Sequence, residues 1–223
     1  MRIRRNWRNR AESFPNYYIA LNNRSVRLPT HFFKMRKIIL LLVIAIVVPS
    51  TSFCQMHKLP VPDGWTTETF PFPISFAPGI PFTGHEELRF APGWSDTTSV
   101  QLWSYCFLWW LDEGSEIDAA SLKSYLEEYY SGLVKANIAT SSSSVETKAA
   151  VTPTGDNANP FVATVDIYDF ISYRPTTLNV NVSMKACPRD AKVGYFFSIS
   201  PQPKSHPVWN DFQVLWQGFE CGK

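Results

Sequence analysis

The chain has 223 residues, 45% of them hydrophobic and 15% aromatic, with 18% charged side chains and a formal net charge of +2. The 169 residues from Gln55 onward are enough for one domain with a substantial core. The charge averages two unlike pieces: residues 1–54 hold ten Lys/Arg and one acid, whereas the stretch from Gln55 holds eleven basic and eighteen acidic side chains, a net of −7. An acidic domain excludes a nucleic-acid partner, because such binders cluster Lys and Arg against phosphates, and it argues against adhesion to an anionic membrane surface.

Arg36-Lys37 followed at once by eleven apolar residues, Ile38 to Val48, reads as a secretory signal peptide over 35–54. The run is shorter than the ~18 apolar residues of a membrane span and fits the ~7–15 of a signal core. Translation is expected to begin at Met35, so that residues 1–34 are an upstream mis-started or disordered basic segment. Cleavage after Cys54 exposes Gln55 and places the protein in the periplasm or outside the cell. Lipidation of Cys54 is the minority reading, since the bulky Phe53 stands where a lipoprotein signal wants a small residue. Only the signal peptide, or that lipid, would touch a membrane.

Residues 55–82 form a Pro/aromatic-rich extended arm, with Phe70 to Phe76 as a short edge strand at best, because recurring prolines exclude a helix. The remainder, 83–223, is a single α+β domain. Glu86 to Phe90 is a short strand before Pro92-Gly93. Val100 to Leu111 is the strongest strand, with Trp103, Tyr105, Phe107, Trp109 and Leu111 on one face and Leu102, Ser104, Cys106, Leu108 and Trp110 on the other. Two apolar faces imply a central strand covered on both sides. Asp118 is set to cap a helix to about Ala136, with an apolar stripe at Leu122, Tyr125, Leu126, Tyr129 and Leu133. Ala139 to Val145 is a connector and Pro153 to Pro160 a turn-rich loop. Strands follow at Val162 to Phe170, Leu178 to Ala186 and Val193 to Ile199. The middle one alternates Leu178, Val180, Val182 and Met184 with Asn179, Asn181, Ser183 and Lys185, one face in the core and one wet. A last helix capped by Ser205, with Pro207 in its first turn, buries Val208, Phe212, Leu215, Trp216 and Phe219.

Strands grouped around a helix indicate a mostly antiparallel α+β sheet with a central and a C-terminal helix packed on it, an α/β/α sandwich. In this order of elements and in the terminal aromatic helix, Phe70 to Phe219 resembles the PsbP-type sandwich. The resemblance implies a secreted or lumenal protein that mainly binds partners. The run Gly84-His85-Glu86-Glu87-Leu88-Arg89-Phe90-Ala91-Pro92-Gly93-Trp94, followed by Trp103-Ser104-Tyr105 and Trp109-Trp110, resembles a pattern of uncharacterised exported bacterial proteins and implies no activity.

Signatures of chemistry are missing: no Gly-x-Ser-x-Gly elbow, no Ser-x-x-Lys, no P-loop and no dinucleotide fingerprint. No catalytic residue, resident metal or cofactor is expected. A Cys106/His85 protease lacks the electropositive setting a thiolate needs. His85-Glu86-Glu87 is the best polar cluster, since a strand sends His85 and Glu87 to one side, where a third ligand could complete a metal site. The plainer expectation is a solvated loop, or short edge strand, in which Glu86 or Glu87 pairs with Arg89. Asp166 and Asp169 fall on opposite faces of one strand, and Glu127 and Glu128 belong to the helix's wet face, so neither makes a glycosidase pair. Trp103, Trp109, Trp110 and Trp216 are expected in the core; Trp65 and Trp94 lie in loop-like sequence and are the surface candidates for a sugar or peptide platform. Asn181-Val182-Ser183 matches a glycosylation acceptor. Of Cys106, Cys187 and Cys221, the pair expected to bridge is Cys187 with Cys221, both at element ends, leaving Cys106 as a small hydrophobe.

The reading is an exported, non-catalytic protein of the cell envelope or exterior that binds an envelope protein or a carbohydrate or peptide ligand through His85, Glu86, Glu87, Arg89, Trp94 and Trp65. The alternatives are a metal- or carboxylate-dependent hydrolase centred on His85 and Glu87, and a structural envelope component.

Overall fold

Period-two apolar patterning on both sides of the aromatic strand is what organises the molecule: it becomes an interior strand of a seven-stranded sheet, with a layer on each face. The structure, a computed structural model, describes residues 58–138 and 146–222. The expectations for the basic head, the signal peptide, Cys54 and the serine-rich connector lie outside those residues. The elements are β1 (Thr66–Pro71), β2 (Gly84–Phe90), β3 (Tyr105–Asp112), α1 (Ala119–Asn137), β4 (Lys148–Pro153), β5 (Phe161–Asp169), β6 (Arg174–Cys187), β7 (Lys192–Ser200) and α2 (Val208–Gln217). The sheet order is β1-β2-β3-β7-β6-β5-β4, and every neighbouring pair is antiparallel. The chain meanders through β1 to β3 and passes through α1 to the far edge. It then meanders back, so that β7 closes against β3. This is an α+β fold.

The face carrying Tyr105, Phe107, Trp109 and Leu111 is covered by α1, through Leu122, Leu126, Tyr129 and Tyr130, and by the β1–β2 connection, a strap over 72–82 that buries Ile74, Ala77 and Ile80 completely. Gly132 is what lets the strap lie on α1: a Cβ there would stand 1.7 Å from the Phe76 carbonyl oxygen. Glu128 Oε1 accepts from the Gly79 amide at 2.5 Å and Glu127 Oε1 from the Ala149 amide at 3.0 Å, so the two acids expected simply to be wet also tie α1 to the strap and to β4. The opposite face, with Cys106, Leu108, Trp110 and Phe196, is covered by α2 through Val208, Trp209, Phe212 and Leu215, and by Leu59. Cys187 and Cys221 form a disulfide across 34 residues, pinning the chain beyond α2 to the end of β6, and Cys106 is a buried free thiol.

Four local expectations are corrected. β3 begins at Tyr105, not Val100, because Trp103 adopts a left-handed φ of 57° and its amide turns back to the Trp94 carbonyl at 2.8 Å. The edge strand is Thr66–Pro71, not 70–76, since the chain leaves the sheet at the cis Phe72-Pro73 bond. Ser205 does not cap α2; the Val208 amide donates to His206 Nδ1 at 3.2 Å. β4 forms where no strand was expected, its Lys148-Ala149-Ala150-Val151-Thr152-Pro153 sequence burying only Ala149. The N-cap Asp118 of α1 is as expected and forms a capping box with Ser121.

Candidate functional site

β2 has β1 on one side and β3 on the other, so the solvated loop or edge strand expected at His85 to Arg89 is instead an interior strand. Its Gly84 has φ +140°, and a Cβ there would stand 2.1 Å from the Trp110 carbonyl oxygen, so only glycine admits this close pairing with β3. Alternation along a strand then sends consecutive glutamates to opposite faces of the sheet. Each is buried, Glu86 at 0% and Glu87 at 2% relative exposure, and the two environments hold opposite charge states.

Glu87 turns to the α2 side, where the segment entering β1 crosses the sheet. Its carboxylate accepts from the Lys58 amide at 2.9 and 3.0 Å, the Leu59 amide at 3.2 Å and Arg89 Nη2 at 2.9 Å, with His85 Nε2 at 3.2 Å. Arg89, itself 0% exposed, spends its remaining donors on carbonyls: Nη2 to Leu59 at 2.6 Å, Nε to Pro60 at 2.9 Å and Nη1 to Leu88 at 2.8 Å. Burial pushes the Glu87 carboxyl up, but the contacts from His85, the Lys58 and Leu59 amides and Arg89 outweigh it, and the net shift is downward. The group is an ionised clamp that fastens residues 58–60 to the sheet. The expected Glu87–Arg89 pair exists, as an interior ion pair and not as a wet one.

Glu86 turns to the α1 side, among aromatic rings. Oε1 accepts from Trp109 Nε1 at 3.2 Å, and Oε2 has no hydrogen-bond partner. Burial pushes its carboxyl up to about 8; Trp109 and Tyr129 pull it back a little, and Glu68 pushes it further. A carboxyl with no cation beside it in an apolar interior is held as the neutral acid. Next to it, the Tyr105 and Tyr130 hydroxyls bond at 2.6 Å, and burial raises both phenols.

The remaining sequence candidates are dispersed. Trp94 is half-buried against Phe90, with ring centroids 4.5 Å apart. Trp65 is half-buried edge-on to Phe212 at 6.1 Å, on the other face of the sheet. Trp103, Trp109 and Trp110 are buried, whereas Trp216 is only partly so and stacks between Phe196 and Phe219. Asp166 is exposed, and Asp169, on the other face, accepts from the Ile171 and Ser172 amides to shape the β5–β6 turn. Burial pushes the Cys106 thiol up, away from a reactive thiolate. Among the described residues no three His, Cys, Asp or Glu side chains converge on a common metal position.

Sequence reasoning missed the surface that the fold leaves open. α2 covers β3 and β7, but on the same side of the sheet Ala150 and Thr152 of β4, Val162, Thr164 and Asp166 of β5, and Thr177 of β6 are exposed, with Asn179, Asn181 and Ser183 half-exposed beside them. They lie in register, Thr164 opposite Ala150 and Asn179, and Val162 opposite Thr152 and Asn181. At its α2 border Lys204 donates to Asn181 Oδ1 at 2.6 Å and sits 3.5 Å above the Trp209 ring. The polar alternation of β6 signalled a wet face; its extension over three strands depended on pairing that periodicity does not reveal. No protein-family model, curated protein or solved structure matches the chain.

Proposed function

We propose that this chain is an exported, non-catalytic domain of the cell envelope or exterior that binds a protein partner or a carbohydrate or peptide ligand. The observation that carries the exported part is the Cys187–Cys221 bond, since structural disulfides persist in oxidising compartments and are rare where thiols are kept reduced. Among the described residues no helix is long and apolar enough to cross a membrane, which is compatible with that address. The binding part is supported by the uneven cover of the sheet: hydroxyl and amide side chains of β4 to β6 stand on an open face, while Glu86, Glu87 and Arg89 of β2 are committed to the interior. The element order that resembles the PsbP-type sandwich agrees with a partner-binding role. A hydrolase at His85 and Glu87 would require Glu87 to abandon the amides and the guanidinium that hold it, so the geometry favours the binding reading.

The test is capture from envelope extracts, without detergent, by the chain beginning at Gln55, in parallel with a Thr164→Lys/Asn179→Lys variant. Retention of one partner by the parent and its loss in the folded variant is the expected result. Equal retention by both removes the open sheet face from the account.

A further inference from the structure

We propose that Glu86 is a proton-held latch: as a neutral acid it seats the 72–82 strap and α1 on the sheet, and its ionisation in alkaline conditions loosens that layer while leaving the α2 layer in place. This goes beyond the binding role and does not rest on it.

The geometry singles out Glu86 because both rings that reach its carboxyl also carry the strap. Trp109, which donates to Oε1, is met edge-on by Phe72 at 5.5 Å and by the tilted Phe82 ring at 6.0 Å. Tyr129, on α1, is met by Phe76 at 5.0 Å and stacks on Phe107 at 5.4 Å. The titratable groups facing Glu86 are Glu68 from β1, Tyr105 from β3, and Tyr129 and Tyr130 from α1. None of these is a cation, and the strap itself carries no titratable side chain. A negative charge on the carboxyl would therefore stand with no cation beside it between the sheet and the two elements above it, met only by the Trp109 N–H and the Tyr129 hydroxyl. The least costly relief is to let water in from the strap side, because 72–82 adds to the sheet ladder only the Phe72 amide, which donates to the Gly84 carbonyl at 3.0 Å, and is otherwise held by local turns such as the isolated Ile74–Ala77 bridge. The α2 layer lies across the sheet and is fastened separately by the Glu87 clamp and the disulfide.

The sign follows from proton linkage. A carboxyl raised from 4.5 to about 8 in the folded protein holds its proton more tightly folded than open. Its contribution is fully present below 4.5, is lost as pH rises toward 8, and does not fall further above it. If opening restores the ordinary value, the opening equilibrium of this layer rises roughly a hundredfold between about pH 6 and about pH 9.

Hydrogen exchange read by mass spectrometry on the full chain, corrected for intrinsic rates, tests this in the parent and in Glu86→Gln. The expected result is a roughly hundredfold loss of protection over 72–82 and α1 in the parent at the higher pH, absent in Glu86→Gln, with α2 and β6 unchanged in both. The same loss in both proteins, or loss spread evenly over α2, overturns the proposal. An infrared titration of the parent needs no variant: a protonated carboxyl band persisting near neutral pH and vanishing toward about pH 9 is expected, and its absence near neutral pH equally overturns it.

Discussion

Replacing Arg89 by methionine is the sharpest perturbation of the clamp, because the side chain keeps much of its apolar stem and loses only the guanidinium. The structure sets what is removed: donors to the Leu59, Pro60 and Leu88 carbonyls, and the cation opposite Glu87. Breaking a buried pair by deleting one member costs about 3–5 kcal/mol. The Lys58 and Leu59 amides still reach Glu87, which places the expected loss near the lower end, about 3 kcal/mol. With a urea dependence of about 2 kcal/mol per molar, the unfolding midpoint drops by about 1.5 M at constant slope. Glu87→Gln/Arg89→Met should recover part of the loss, since no unpaired charge is then left inside. Because the Glu87 carboxyl is lowered in the folded state, the clamp contributes above pH 4.5 and its contribution fades as pH falls through that lowered value; the acid-side slope should flatten in Arg89→Met. A loss below about 0.5 kcal/mol, the size of an ordinary surface change, would refute the clamp.

Three further outcomes follow from the same geometry. Gly132→Ala should push the strap off α1, since its Cβ would meet the Phe76 carbonyl oxygen at 1.7 Å; a loss of about 1–3 kcal/mol in urea unfolding is expected despite alanine's better helix propensity. The double variant Cys187→Ser/Cys221→Ser should lose about 3–4 kcal/mol for a closed loop of 34 residues' separation, measured against the parent under non-reducing conditions. Asp118→Ala removes the side-chain acceptor for the Ser121 amide and should lower the thermal midpoint in proportion to about 1 kcal/mol.

What could be read in the chain was what repeats within one element. The two-sided apolar pattern of Tyr105 to Leu111 specified a covered central strand, the wet alternation of Asn179 to Ser183 specified a one-sided strand, and Asp118 marked a helix start. What could not be read was set by distant chain. Glu86, Glu87 and Arg89 look like a charged edge strand until β1 pairs outside them and the carbonyls of Leu59 and Pro60, about thirty residues away, accept the guanidinium. β4 gave no signal because a short edge strand with one buried alanine has almost no apolar period. Ser205 satisfied the composition rule for an N-cap, yet Pro207 set the entry of the chain so that the His206 ring meets the Val208 amide instead. The Cys187–Cys221 pairing was legible only as far as both residues look like element ends; Cys187 does end β6, whereas Cys221 lies beyond the end of α2.

The central claim, an exported and disulfide-bonded domain, is tested most directly by the intact mass of the protein recovered from outside the cytoplasm, taken after alkylation in denaturant without reductant. The account predicts a chain beginning at Gln55, with Cys187 and Cys221 bridged and a single alkyl group on Cys106. A chain beginning at Met1, or one alkylated on all its cysteines, would contradict it.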